Sequence, residues 1–223
     1  TPTELMTTTP YTIWANNTGG QVSAMLNITV IDAISQGITV SPVENTTITN
    51  NSAMNSITFT SSGPGEIVTW ELEGELPTGL TFTSANQTIW GTPTELMTTT
   101  PYTIWANNTG GSVSATLNIT VIDEVPTTLS YSNPDILLTN NTAMTPHDPI
   151  TTGPGTVVSW DIVGELPEGI TFNSSTGILS GTPTELMTTT QYTIWANNTG
   201  GSISTVINIT VVDQLPSLTY PLI

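Results

Sequence analysis

Lysine and arginine are missing from all 223 positions, although together they ordinarily fill about a tenth of a protein chain. Whole classes of function go with them. Nucleic-acid binding relies on cations that displace counterions from phosphates, and adhesion to anionic lipid headgroups relies on the same charges. Schiff-base chemistry, Walker-type phosphate loops, arginine fingers and lysine–asparagine isopeptide crosslinks each need a residue the chain does not contain. Cysteine is also absent, which removes disulfides and thiol chemistry and leaves stability to the cores themselves. No apolar run approaches the roughly 20 residues of a membrane span, and no signal peptide opens the sequence. Direct membrane insertion of this segment is therefore not expected.

The charge that remains is negative: 17 Asp and Glu and one His give a formal net charge of −17. Carboxylates are not abundant, and it is the missing cations that tilt the balance. Thr, Ser and Asn solvate the surface through neutral hydrogen bonds, so the composition does not read as salt adaptation.

The strongest signal is internal repetition. Thr1–Asp32 recurs as Thr92–Asp123 with two changes, Gln21 to Ser112 and Met25 to Thr116, and returns again as Thr182–Asp213. The stretches between match more loosely, Gly63-Pro64-Gly65 with Gly153-Pro154-Gly155 and Leu76-Pro77-Thr78-Gly79 with Leu166-Pro167-Glu168-Gly169. A period of about 90 residues is the size of one small β-sandwich. The expected organisation is the back end of a repeat at 1–32, complete repeats at 33–123 and 124–213, and the opening of another at 214–223, as in a piece of a longer array.

Strand patterns dominate. Val113 to Val121 alternates apolar and polar residues, as a half-buried strand does, and so does Tyr102 to Ala106. The Asn107-Asn108-Thr109-Gly110-Gly111 stretch between them has hairpin-turn chemistry. Val68-Thr-Trp70-Glu-Leu72 supplies a third strand, with all three apolar residues placed inward. No segment has a helical period. The class is all-β: tandem immunoglobulin-like β-sandwich domains, end to end, of seven strands or a similar number.

The succession Trp70, Leu76-Pro77-x-Gly79-Leu80, Ile89-x-Gly91-Thr92-Pro93, Tyr102-Thr-Ile104-x-Ala106-x-Asn108, Gly111, Ile119-x-Val121 resembles the He-PIG immunoglobulin-like repeats, relatives of the dystroglycan-type cadherin-like domains of large bacterial and archaeal surface proteins. The resemblance spans essentially the whole chain. It implies an extracellular, modular protein with a structural or adhesive role, and no catalytic site. Val121-Ile122-Asp123 departs from the cadherin pattern by lacking the run of acidic ligands at a calcium junction.

Eleven Asn-x-Ser/Thr sequons stand at Asn16, Asn27, Asn45, Asn50, Asn86, Asn107, Asn118, Asn140, Asn173, Asn197 and Asn208. Each is a candidate for an N-linked glycan, with Asn107 and Asn118 placed outward by their phase or by the adjoining turn. Trp70 shares the inward phase of Val68 and Leu72, and Trp160 that of Val158 and Ile162, so both read as core residues. Trp14, Trp105 and Trp195 fall on the opposite phase, and Trp90 points outward by alternation from Ile89. An outward Trp in every repeat marks a contact: with a neighbouring chain or repeat, with the chain's own glycans, or with a foreign sugar. Glu71, Glu73, Glu75, Asp161 and Glu165 read as solvated strand charges, since no nucleophile or His stands beside them. His147 occurs in one repeat only. Asp123-Glu124 is the best cation candidate, though no metal site, cofactor or enzymatic activity is expected. The expected partners are further copies or repeats of the chain, together with covalent glycans. The expected role is a cell-surface stalk, filament or sheath; the alternative is a glycan-binding adhesin working through the outward Trp residues.

Overall fold

The structure, a computed structural model, describes residues 1–216. Most of the stretch expected to open a further repeat, residues 217–223, lies outside the described residues. Every regular element among those described is a strand. The chain forms two compact units, Thr1–Val121 and Ile122–Ile223.

Unit 1 begins with an antiparallel hairpin, β1 (Met6–Asn17) and β2 (Gly20–Val30). Eight further strands form two four-stranded sheets. One has the order β4 (Asn45–Thr49), β10 (Gly111–Ile122), β9 (Met97–Asn108), β6 (Thr69–Glu73); the other runs β3 (Gly37–Ser41), β5 (Ile57–Ser62), β8 (Thr88–Gly91), β7 (Leu80–Thr83). The sequence led to seven strands or a similar number. The short β3 and β4 escaped it because their Thr, Ser and Asn content hides the inward Val40 and Ile48.

The long β9–β10 hairpin is the backbone of the core. Tyr102, Ile104, Leu117 and Ile119 point from it into the sandwich and are at most 2% exposed, meeting Ile48, Ile57, Phe59 and Ile89. Each such side chain contributes about 1.5–3 kcal/mol by leaving water. The first hairpin carries the same residues in a different setting. Tyr11, Ile13, Leu26 and Ile28, their sequence equivalents, are 43%, 56%, 45% and 38% exposed.

The Leu-Pro-x-Gly-Leu and Gly-Thr-Pro motifs meet across the start of β7 and the end of β8. A Cβ on Gly79 would lie 1.9 Å from the Thr92 carbonyl oxygen, and one on Gly91 would lie 2.1 Å from that of Gly79. Only paired glycines let the two backbones approach so closely, and the Thr92 amide then donates to the Gly79 carbonyl at 3.0 Å. Pro77 and Pro93 are buried beside this crossing.

Unit 2 repeats the plan. Its main sheet has the order β12 (Asp135–Thr139), β18 (Gly201–Val212), β17 (Met187–Asn198), β14 (Ser159–Val163), with β12 and β18 parallel. Opposite it, β11 (Thr128–Tyr131) pairs with β13 (Pro149–Thr152), and β15 (Ile170–Phe172) with β16 (Leu179–Gly181). Trp160, Tyr192, Ile194, Ile207 and Leu179 form its core.

The inward placement of Val68 and Val158 is corrected. They are 67% and 62% exposed, while Val157 packs against its core and Ile67 is half-buried. Regular alternation begins only at Thr69 and Ser159, where β6 and β14 start. At the preceding residue the amide already bonds the neighbouring strand, Val68 to Asn107 and Val158 to Asn197, with the side chain left in solvent.

Candidate functional site

The outward face of the main sheet carries the repeated Trp. In unit 1 the register sets Glu71 opposite Trp105 and Glu73 opposite Thr103. The Trp105 indole Nε1 donates to a Glu73 carboxylate oxygen at 3.2 Å, which draws the ring onto the sheet and leaves it half-buried. Unit 2 has Val163 in place of Glu73, and Trp195 is correspondingly exposed, at 38%. Asp161, opposite Trp195, instead accepts from the Asn197 amide at 2.8 Å. Trp14 on the first hairpin is 56% exposed. The fourth outward Trp, Trp90 on β8, lies on the other sheet; it is 51% exposed and its Nε1 donates to Thr83 Oγ1 at 3.1 Å. Trp70 and Trp160 face the cores, Trp160 buried and Trp70 half-buried.

The sequons differ in what their side chains already do. The amide of Asn118 donates to Asn45 at 2.8 Å, that of Asn208 to Asp135 at 2.7 Å, and that of Asn107 to Thr69 at 3.2 Å. Asn50 and Asn140 are half-buried, with side-chain oxygens that find no hydrogen-bond partner among the described residues. Asn173 caps its own turn by accepting from the Ser175 and Thr176 amides. Asn16 and Asn27 are exposed on the first hairpin. Asn86 sits exposed in the turn from β7 to β8, accepting from Thr88 Oγ1 at 2.7 Å.

Sequence reasoning passed over a second repeated feature. In each complete sandwich the Asn-Thr-Gly-Gly turn grips the segment that leads into it. Asn108 accepts from the Gly110 and Gly111 amides and donates to the Ala33 carbonyl at 2.9 Å, while Thr109 Oγ1 accepts from the Asp32 amide at 2.9 Å and donates to its carboxylate at 3.0 Å. In unit 2, Asn198 donates to the Glu124 carbonyl at 2.6 Å and Thr199 Oγ1 accepts from the Asp123 amide at 2.8 Å. Gly110 and Gly200 are required here: a Cβ would fall 2.1 and 2.0 Å from the Asp32 and Asp123 carbonyl oxygens. The recurrence of Asp beside Asn-Asn-Thr-Gly-Gly was the available signal. These contacts give the Asp carboxylates polar partners of their own, since Asp123 also accepts from the Thr156 amide at 3.0 Å. Among the described residues no three His, Asp or Glu converge as a metal would require.

Shallow grooves run beside the edge strands β4 and β12. The first, of about 370 Å³, is lined by Val43, Ile48, Met54 and Ile57, and the second, of about 290 Å³, by Ile136, Leu138, Met144 and His147. The His147 ring stacks on Tyr131 at a centroid distance of 5.2 Å, and its Nε2 lies 2.9 Å from the Asn133 carbonyl oxygen, which gives it a packing role.

Among curated proteins the chain is similar to the serine-rich adhesin for platelets of Staphylococcus aureus. With strain MRSA252 it shares 29% identity over 167 residues, 73% of this chain and 12% of the adhesin; with strain USA300 the figures are 28%, 73% and 7%. The chain thus spans only a small part of these relatives. Among solved structures it is similar to extracellular domains 3–5 of Drosophila OTK (17% identity, 93% of this chain and 72% of that one, TM-score 0.47). It is also similar to immunoglobulin domains 1–4 of Sidekick-1 (15%, 92% and 58%, TM-score 0.48). The family described as "Putative Ig domain" (He_PIG) matches residues 36–122 and 126–212. The chain belongs to that family, with two copies in tandem.

Proposed function

We propose that this chain is a segment of an extracellular surface protein whose repeats serve extension, as a stalk, filament or sheath, with N-linked sugars on part of its sequons. The observation that carries this reading is the repeated outward surface. Thr8 and Thr29, Thr99 and Thr120, and Thr189 and Thr210 pair across their hairpins, each at 2.8 Å. Core packing alone conserves inward residues; outward residues repeated to this degree suit units that each meet an equivalent neighbour. With no Lys or Arg available, lateral contacts depend on hydrogen bonds, outward Trp residues, strand edges and glycans, and the edges of β4 and β12, unpaired among the described residues, suit strand addition by another copy. Catalysis has no support in the arrangement. Images of the native assembly are expected to show density repeating about every 40 Å, the length of a 12-residue strand. A compact particle with no repeat would remove the reading. Mass spectrometry of native material is expected to find sugar on outward sequons, and eleven bare asparagines would remove the glycan part.

The second reading is adhesion to glycans. It is favoured by the exposed Trp195 beside the hydrogen-bonded Asp161 and Asn197, and by the adhesin names of the curated relatives. A glycan array probed with the chain and with Trp195→Ala decides it, because binding that survives the substitution excludes this face.

A further inference from the structure

We propose that Asn86 carries an N-linked saccharide whose first sugar lies on the indole face of Trp90, so that the turn from β7 to β8 is a modification site with its own docking platform. This rests on the reading that the chain is N-glycosylated and names where and how.

Four observations converge on the turn. First, Thr88 and Trp90 share one phase of β8, opposite to the fully buried Ile89, and Asn86 is exposed in the turn two residues before Thr88. Second, the Thr88 hydroxyl donates to Asn86 Oδ1, which ties the Asn86 side chain to the first residue of β8 and leaves its Nδ2 without a partner among the described residues. Four sequons on the main sheets differ in this respect, because the amides of Asn107, Asn118, Asn197 and Asn208 are already donated. Third, the Trp90 ring leans toward the turn. Its register partner on β7 is Thr81, yet its Nε1 donates to Thr83, which pairs with Thr88. The 51% exposed ring is therefore drawn toward the Thr83–Thr88 pair, whose Thr88 hydroxyl holds Asn86. Fourth, the two repeats differ at this turn. Unit 2 has Ser180 in place of Trp90, and the sequon of its equivalent turn stands three positions earlier at Asn173, whose Oδ1 is occupied by the Ser175 and Thr176 amides. The flanking Gly91 and Gly181 are unchanged.

The turn is held firmly for this purpose. Gln87 adopts φ 53° and donates through Nε2 to the Ser84 and Ala85 carbonyls, while its own carbonyl accepts from the Phe59 amide at 2.9 Å. In the attachment step Asn86 Nδ2 forms a bond to the anomeric carbon of a lipid-pyrophosphate-linked sugar donor. The bond from that carbon to the phosphate oxygen breaks, the lipid pyrophosphate leaves, and one amide proton is lost. The apolar face of the attached pyranose then covers the indole, as aromatic rings accept flat apolar partners.

The test uses the full 223-residue chain, made in a secretory host whose oligosaccharyltransferase transfers glycans beginning with N-acetylglucosamine. Peptides for mass spectrometry come from a protease other than trypsin. Asn86 is expected to be occupied to a higher degree than Asn118 or Asn208. The thermal transition of the unit bearing Asn86 is then compared before and after enzymatic removal of the whole glycan, in the parent and in Trp90→Ser. Removal should lower the parent transition by about 4 °C and leave that of Trp90→Ser unmoved. Trimming to the first sugar should preserve the parent value. Asn86 bare while other sequons are filled overturns this assignment alone, and an equal shift in both proteins overturns the stacking. A chain bare at all eleven sequons overturns it together with the glycosylation reading.

Discussion

At the scale of single residues, phase along a strand distinguished the tryptophans that face a core from those that face outward. Trp160 is 6% exposed, and truncation to Ala should cost unit 2 about 3–5 kcal/mol in denaturant unfolding, as for other buried aromatics. Trp195→Ala should cost under about 1 kcal/mol, since it removes only surface contacts. Equal losses would show that the two rings share one environment. Phase failed at Val68 and Val158 because alternation is a property of paired strand, and both residues precede the point where regular pairing starts. Titration supplies a second residue-scale expectation. Burial raises the hydroxyls of Tyr102, Tyr131 and Tyr192 above their ordinary value of 10, and nearby carboxylates add to this for Tyr131 and Tyr192. A raised folded value means stability that is complete below pH 10 and is lost as pH climbs above it. Both units should therefore unfold in alkali, with tyrosinate absorbance rising alongside the loss of structure. Glu95 has the opposite sign. The Thr78 amide and hydroxyl hold its carboxylate below 4.5, so its contribution is present above that value and fades as pH falls. Glu95→Gln should flatten the acid side of the unit 1 melting profile, and an unchanged acid limb would dismiss the contact.

At the scale of elements, the long hairpins were legible because strict alternation met a turn sequence of fixed chemistry. The short strands β3, β4, β11 and β12 were not, since four or five residues with one or two inward positions look like loop. The grip of the Asn-Thr-Gly-Gly turn on its lead-in segment was equally hidden, because the partners are 74 to 77 residues apart. The turn makes a sharp prediction. Gly200→Ala would place a methyl group against the Asp123 carbonyl, and the turn or the lead-in must shift. We expect a loss of about 1–3 kcal/mol in unit 2 and faster amide exchange at Asp123, whose proton the Thr199 hydroxyl accepts. Thr199→Ala should reproduce the exchange change at a cost of about 1 kcal/mol. Slow exchange at Asp123 in either variant would mean that the turn does not hold the segment.

At the scale of the whole molecule, composition led to expectations of what the chain does not bind, and repetition to expectations of how it is divided. Neither could say which sequon amides are free, because that depends on cross-strand neighbours such as Asn45 beside Asn118 and Asp135 beside Asn208. The same limit hid Trp90, whose lean toward Thr83 is a fact of side-chain placement and not of phase. The two hairpins of unit 1 have a further implication for how the chain finds its fold. Strands β3 to β8 lie in sequence between β1–β2 and β9–β10, and the inward residues of these hairpins are identical. In the folded unit only β9–β10 is covered, while Tyr11, Ile13, Leu26 and Ile28 remain in solvent. When the 223-residue chain refolds alone, it therefore holds two chemically equal templates for one set of strands. Capture by β1–β2 would be a decoy, to be undone before the native pairing forms, and such misassembly is characteristic of proteins built from like repeats. Removing residues 1–32 should abolish a slow refolding phase of unit 1 that the full chain displays; refolding kinetics that are the same with and without the hairpin would mean the strands tell their two suitors apart.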